Sequence, residues 1–308
     1  MDYLIIFAAA RQIWDFNQAE RRETKMKKYI AHALLIGLMA GGMSSPALAG
    51  EAELTLVGQH HLEVNIQGEG RHNVIFESGL GHDLNIWRDV ADEVSQFAQV
   101  VTYSRAGYGQ SEQSDLPRTL EQIASELDSL LTAKNISAPY ILVGHSAGGF
   151  YIRKYAELYP DKVAGLVFVD PTPEKILIQL RALDKERAIR EEAVINRMTP
   201  DRVKPEDIYF SKITGSGIYP STAKLVDVPV AMITAMKQEY PQFLMHSVEG
   251  KQAWRELQTQ FVTQFTDYQH IVLGATGHNV HREQPETVVA AVRYVIKQND
   301  AASDMPEK

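Results

Sequence analysis

Tyr140-Ile141-Leu142-Val143-Gly144-His145-Ser146-Ala147-Gly148-Gly149 sets an apolar strand directly against a serine flanked by glycines. A helical pattern follows over Gly149–Tyr159, and Pro160 closes it. A Gly-x-Ser-x-Gly alone carries little. With Gly and Ser each near ~7% of residues, chance supplies one in roughly one chain in ten of this length. The strand before it and the helix after it carry the meaning. A strand that turns sharply into a helix leaves no room for side chains beside the turn, which is why glycines flank the serine. Such a turn lifts the Ser146 hydroxyl above the strand ends. It also puts the Ala147 N–H at a helix N-terminus, where a negatively charged oxygen is stabilised.

Outward from this turn, short apolar runs alternate with amphipathic ones. Glu53–Val57 and His61–Ile66 read as an opening hairpin, and Asn73–Glu77, Val100–Ser104, Val163–Val169, Val230–Thr234 and Ile271–Leu273 as further strands. Val90–Phe97 and Leu120–Ala133 read as helices; the second spaces Leu120, Ile123, Leu127, Leu130 and Leu131 at intervals of three and four. Wholly apolar strands between amphipathic helices predict a parallel sheet covered on both faces. Residues 171–228 break the alternation. They hold a charged helical stretch, Ala182–Val194, then Pro, Gly and Ser punctuation, and read as an insertion over the sheet.

Several ordered motifs together resemble the α/β-hydrolase family of serine, esterase-like hydrolases, over about residues 53–295. Besides the turn at Ser146 they are Phe76-Glu77-Ser78-Gly79-Leu80-Gly81 with Trp87 after it, Tyr103-Ser104-Arg105-Ala106-Gly107-Tyr108-Gly109-Gln110-Ser111, and Gly277-His278 ahead of Gln284-Pro285-Glu286. The resemblance implies an α/β-hydrolase fold: a mostly parallel central sheet flanked by helices, with a helical lid between the sixth and seventh strands. It implies Ser146 as nucleophile, His278 as general base, and an oxyanion hole from the N–H groups of Leu80 and Ala147. For the acid it leaves two positions. The usual one follows the strand Val230–Thr234, where this chain has no Asp and only Glu239, slightly late; the other is Asp170, at the end of Val163–Val169. Asp170 is the expected acid and Glu239 the alternative. Ser104 stands where the family often has Asp, and Arg105 reads as a packing residue.

Other histidines read differently. His145 supports the turn, His82 lines the pocket mouth, and His60 and His61 are surface strand residues. His278 and His281 form a His-x-x-His pair with no third ligand at recognisable spacing, so no metal is expected, and no cofactor either.

The chain has 308 residues, 44% hydrophobic and 23% charged, with a net charge of −8. That balance speaks against nucleic acid as a partner, which needs clustered Lys and Arg. The absence of cysteine excludes disulfides, thiolate nucleophiles and a lipid-anchored cysteine. Met26-Lys27-Lys28, an apolar run to Met39 and the ending Ala47-Leu48-Ala49 read as a secretory signal peptide over 26–49, cleaved after Ala49. The run is too short and glycine-rich for a stable membrane anchor, which needs roughly 20 apolar residues. Residues 1–25 have no place ahead of such a leader and read as an over-extended start. The expected organisation is therefore a leader over 26–49, an α/β-hydrolase domain over 50–300 with a lid at about 171–228, and a loose tail over 301–308. Export to the periplasm or beyond follows from that reading.

The resemblance implies hydrolysis of a small carboxylic ester, thioester or lactone through an acyl-enzyme, with a small-molecule acyl substrate as the partner. Peptidase or amidase action and carbon–carbon bond hydrolysis are the alternatives, and a non-catalytic ligand-binding member of the fold is a third. Relatives that open epoxides or remove halides use a carboxylate nucleophile, which a serine here replaces. In the lid, Ile176, Leu177, Leu180, Ile208, Tyr209, Phe210 and Ile213 offer either an apolar acyl pocket or the lid's own packing face. Oligomeric state is not legible.

Overall fold

The computed structural model describes residues 52–303, apart from 222 and 225. The expected leader and over-extended start lie outside these residues.

Eight strands form one sheet: β1 (Glu53–Val57), β2 (His60–Gln67), β3 (Asn73–Glu77), β4 (Gln99–Tyr103), β5 (Tyr140–His145), β6 (Val163–Val169), β7 (Val230–Ala235) and β8 (Tyr268–Leu273). Their order is β1-β2-β4-β3-β5-β6-β7-β8. β2 runs antiparallel to β1 and to β4, and every later pairing is parallel. After β3 the chain steps to one side to make β4, then returns to make β5 on the other side. The strand order reverses there. In open α/β sheets the crevice at such a reversal, outside the carboxyl ends of the strands, is where ligands bind.

The strands read as continuous apolar runs because both sheet faces are covered. On one face Ile75, Leu142 and Phe168 pack with Leu127, Ile152 and Tyr155 from α2 (Leu120–Ala133) and α3 (Gly148–Leu158). On the other, Val74, Phe76, Ile141 and Val143 pack with Val90, Val288 and Val292 from α1 (Arg88–Val94) and α9 (Pro285–Ser303). Neighbouring residues of β3 and of β5 thus go to opposite layers, as the two-residue repeat of a strand requires.

Three helices lie between β6 and β7: α4 (Ile176–Leu183), α5 (Lys185–Met198) and α6 (Lys204–Ser216). The single helix expected over Ala182–Val194 is instead two, broken at Asp184. That residue is extended (φ −153°), and its carboxylate caps α5 by accepting from the Arg187 N–H at 3.0 Å. α6 lies in the stretch expected as Pro, Gly and Ser punctuation, and its Pro205 falls in the first turn. Proline in a first turn costs nothing, since its missing N–H would have no helical partner there. α7 (Val248–Val262) follows β7, and α8 (Val280–Glu283) precedes α9. α9 runs to Ser303, so residues 301–303 of the expected loose tail are helical. His60 is a further correction. It is buried, with Nε2 at 3.6 Å from Glu126 Oε1 on α2, because that helix covers the start of β2.

Candidate active site

Ser146 sits between β5 and α3 with φ +55°, a left-handed conformation that is strained for a residue bearing a Cβ. The turn is held by the Ser146 N–H to Val169 O at 3.2 Å, and by the Gly149 and Thr172 N–H groups to Ser146 O, each at 3.1 Å. Its glycines are sterically required. A Cβ on Gly144 would lie 2.7 Å from Gly148 O, and one on Gly148 would lie 2.5 Å from Glu77 O. The Ser146 hydroxyl is turned toward Thr172 Oγ1, a long contact of 3.4 Å.

His278 lies in the loop after β8, and its Nδ1 is 2.7 Å from Asp170 Oδ2. Asp170 follows β6 and is fully buried. Its other oxygen accepts from the Ala235 N–H at 3.0 Å, Trp254 Nε1 at 2.8 Å and Gln258 Nε2 at 3.3 Å. Burial alone would push this carboxyl up. The His278 hydrogen bond and charge, with Lys251 and the Ala235 N–H, outweigh it and hold Asp170 below the usual Asp value. Glu239 does something else. Its Oε2 accepts from the His278 backbone N–H at 3.1 Å, so it touches the loop and not the ring. Lys251, Trp254 and Gln258 stand three and four residues apart on α7, and all three are buried. Polar residues repeating on the inward face of an amphipathic helix were the signal that sequence reading passed over.

The loop Ser78–Gly81 leaves β3 beside this turn. A Cβ on Gly79 would lie 3.2 Å from Ser146 Cβ, which puts the Gly79–Leu80 peptide against Ser146, with Ala147 at the start of α3. Leu80 packs with Ala147, Phe150, Phe210 and Ile213. The seven lid residues thus divide. Phe210 and Ile213 pack with Ala147 and Phe150 beside Ser146, Ile176, Leu177 and Leu180 pack with Trp254 and Leu257, Tyr209 is half-buried, and Ile208 is exposed. Thr172 also borders a cavity between α3, β6 and α7, whose lining includes Phe150, Arg153, Phe168 and Phe261.

Behind His278 lies a second layer of histidines. His145 Nε2 donates to His278 O at 3.0 Å, and its ring centroid is 4.6 Å from those of both His278 and His281. Burial, then the neighbouring imidazoles, keep His145 well below the usual His value; burial lowers His281 in the same way, and His82 to about 4. These rings are therefore neutral near pH 7.

Residues 73–201 match the family model of the alpha/beta hydrolase fold. The uncharacterized protein YqjL of Bacillus subtilis (strain 168) is 24% identical over 226 residues, 73% of this chain and 84% of that protein. The (lyso)-N-acylphosphatidylethanolamine lipase of Homo sapiens is 30% identical over 111 residues, which span 35% of this chain and only 32% of the lipase. A solved thermophilic esterase from Thermogutta terrifontis superposes with a TM-score of 0.58 at 18% identity, covering 83% of this chain and 99% of the esterase. The chain has the α/β-hydrolase fold, and the proteins it is similar to include a lipase and an esterase.

Proposed function

We propose that this protein is a serine hydrolase that cleaves a small carboxylic ester through an acyl-enzyme. The observation that carries the reading is the buried Asp170 carboxylate at 2.7 Å from His278 Nδ1, in the loop beside the strained serine turn. His278 takes the Ser146 proton on Nε2 as Oγ attacks the acyl carbon, while Asp170 holds the Nδ1–H and steadies the imidazolium. The N–H groups of Leu80 and Ala147 share the charge of the tetrahedral oxyanion. The protonated His278 gives its proton to the departing alcohol, then activates water to release the acid. Leu80, Phe150, Phe210 and Ile213 supply an apolar wall for one arm of the ester.

Hydrolysis of p-nitrophenyl esters from acetate to palmitate tests the reading. The wild type turns over the shorter esters, and Ser146→Ala loses at least ~10³-fold in kcat. Wild-type activity equal to that of Ser146→Ala on every ester would sink it and bring amide or carbon–carbon bond hydrolysis forward.

A further inference from the structure

Arg105 is fully buried and bonds in two directions at once. Toward the nucleophile it holds the loop: Nη1 donates to Ser78 O at 2.7 Å and Nη2 to Gly79 O at 3.0 Å. Away from it, Nε and Nη2 donate to the two carboxylate oxygens of Glu206, each at 2.9 Å. Nη1 also meets Glu77 Oε1 at 2.6 Å. Glu206 belongs to α6, between β6 and β7, and is buried too; Tyr108 and Tyr151 donate their hydroxyls to its Oε2 at 3.1 and 3.3 Å.

The Gly79 carbonyl and the Leu80 N–H are two ends of one planar, trans peptide unit, so they point in opposite directions. A guanidinium fixed to Gly79 O therefore sets the direction of the Leu80 N–H. A charged donor on the carbonyl also polarises the unit and makes its N–H a stronger donor. A planar fork held at both oxygens of one carboxylate has little freedom to tilt. We infer that Glu206 is a positioning residue for the oxyanion hole: through Arg105 it aims the Leu80 N–H at the developing oxyanion, so the inserted helices act on the chemical step as well as on access. The inference rests on the ester-hydrolase reading above.

The test compares Glu206→Gln with wild type by kcat, KM, melting temperature and affinity for a trifluoromethyl ketone, whose adduct with Ser146 places an alkoxide where the oxyanion forms. Gln keeps the size and loses the charge that holds the fork. The expected result is a fall in kcat of about 10- to 100-fold, with KM within about threefold and ketone affinity falling in step with kcat. Glu192→Gln, which removes the ion pair of Glu192 with Arg181 on the same insertion, leaves both quantities within about twofold.

A folded Glu206→Gln with wild-type kcat and ketone affinity overturns the inference alone. So does an equal loss in Glu192→Gln, which would mean a general loosening of the insertion. A wild type with no Ser146-dependent hydrolysis overturns the ester reading, and this inference with it. Should Glu206→Gln fail to fold, the same quantities are read in Glu206→Asp, which keeps the charge but, one methylene shorter, draws the carboxylate back from the guanidinium fork. There kcat and ketone affinity fall together, or the inference is overturned.

Discussion

Asp170 and Glu239 both approach His278, and the difference between them is one of atoms. Asp170 meets the ring nitrogen, whereas Glu239 meets the main chain. Asp170→Asn presents Nδ1 with an amide that stabilises no imidazolium and favours the wrong tautomer, so kcat is expected to fall by ~10³- to 10⁴-fold. Glu239→Gln keeps a carbonyl oxygen that can still accept the His278 N–H, and its loss should stay within about tenfold, the equivalent of ~1.4 kcal/mol. Steady-state kinetics on one ester checks both; the reverse order would make Glu239 the acid. Arg105 was read as packing because a lone arginine in a glycine-rich segment carries no period or spacing. Its role depends on Glu206, 101 residues further on.

At the scale of elements, the turn from β5 into α3 is closely fitted against β3. The Gly148 Cα faces the end of β3, where a Cβ would lie 2.5 Å from Glu77 O and 3.0 Å from Ser78 O. Both are main-chain atoms of a buried strand end and cannot swing aside. Gly148→Ala must therefore push α3 away from β3, and overpacking of this kind costs about 2–3 kcal/mol. In a domain of this size that is a drop of about 5–10 °C in Tm, measured by calorimetry. An unchanged Tm would mean that α3 can slide freely on the sheet. The insertion shows the opposite side of local reading. Its charged helix was visible, but the break at Asp184 and the start of α6 depend on capping and first-turn geometry, which composition does not reveal.

Across the whole molecule, the buried imidazoles give a pH dependence with a definite sign. His82, His145 and His281 are held below their unfolded value of about 6.5, so the unfolded chain binds more protons than the folded one as pH falls through that value. Stability is present above pH ~6.5 and declines toward pH 4, at up to ~1.4 kcal/mol per pH unit for each such group. Glu77 acts the other way. Burial raises its carboxyl, and that of Asp207, so their contribution shrinks as pH rises through the carboxylate range. These two carboxyls oppose five lowered rings, since burial lowers His246 and His270 as well. Urea unfolding at pH 7.5, 6 and 5 should show a falling midpoint, with a shallower fall in His145→Asn. A flat midpoint would mean that the rings protonate in place.

The strands themselves, the glycine-flanked serine turn and the histidine after β8 were legible because each is local, whereas the order β1-β2-β4-β3-β5-β6-β7-β8 is a matter of pairing. A short apolar run, a glycine that tolerates no Cβ and a serine between strand and helix leave their mark on adjacent residues. Their mark survives without any knowledge of what packs against them. The partner of the His278 ring, the division of the lid residues and the Arg105–Glu206 link were decided only by the tertiary structure. Each is a contact between residues far apart in the chain, and its energy depends on distance, burial and the direction of a hydrogen bond, none of which exists until the sheet has brought the strand ends together.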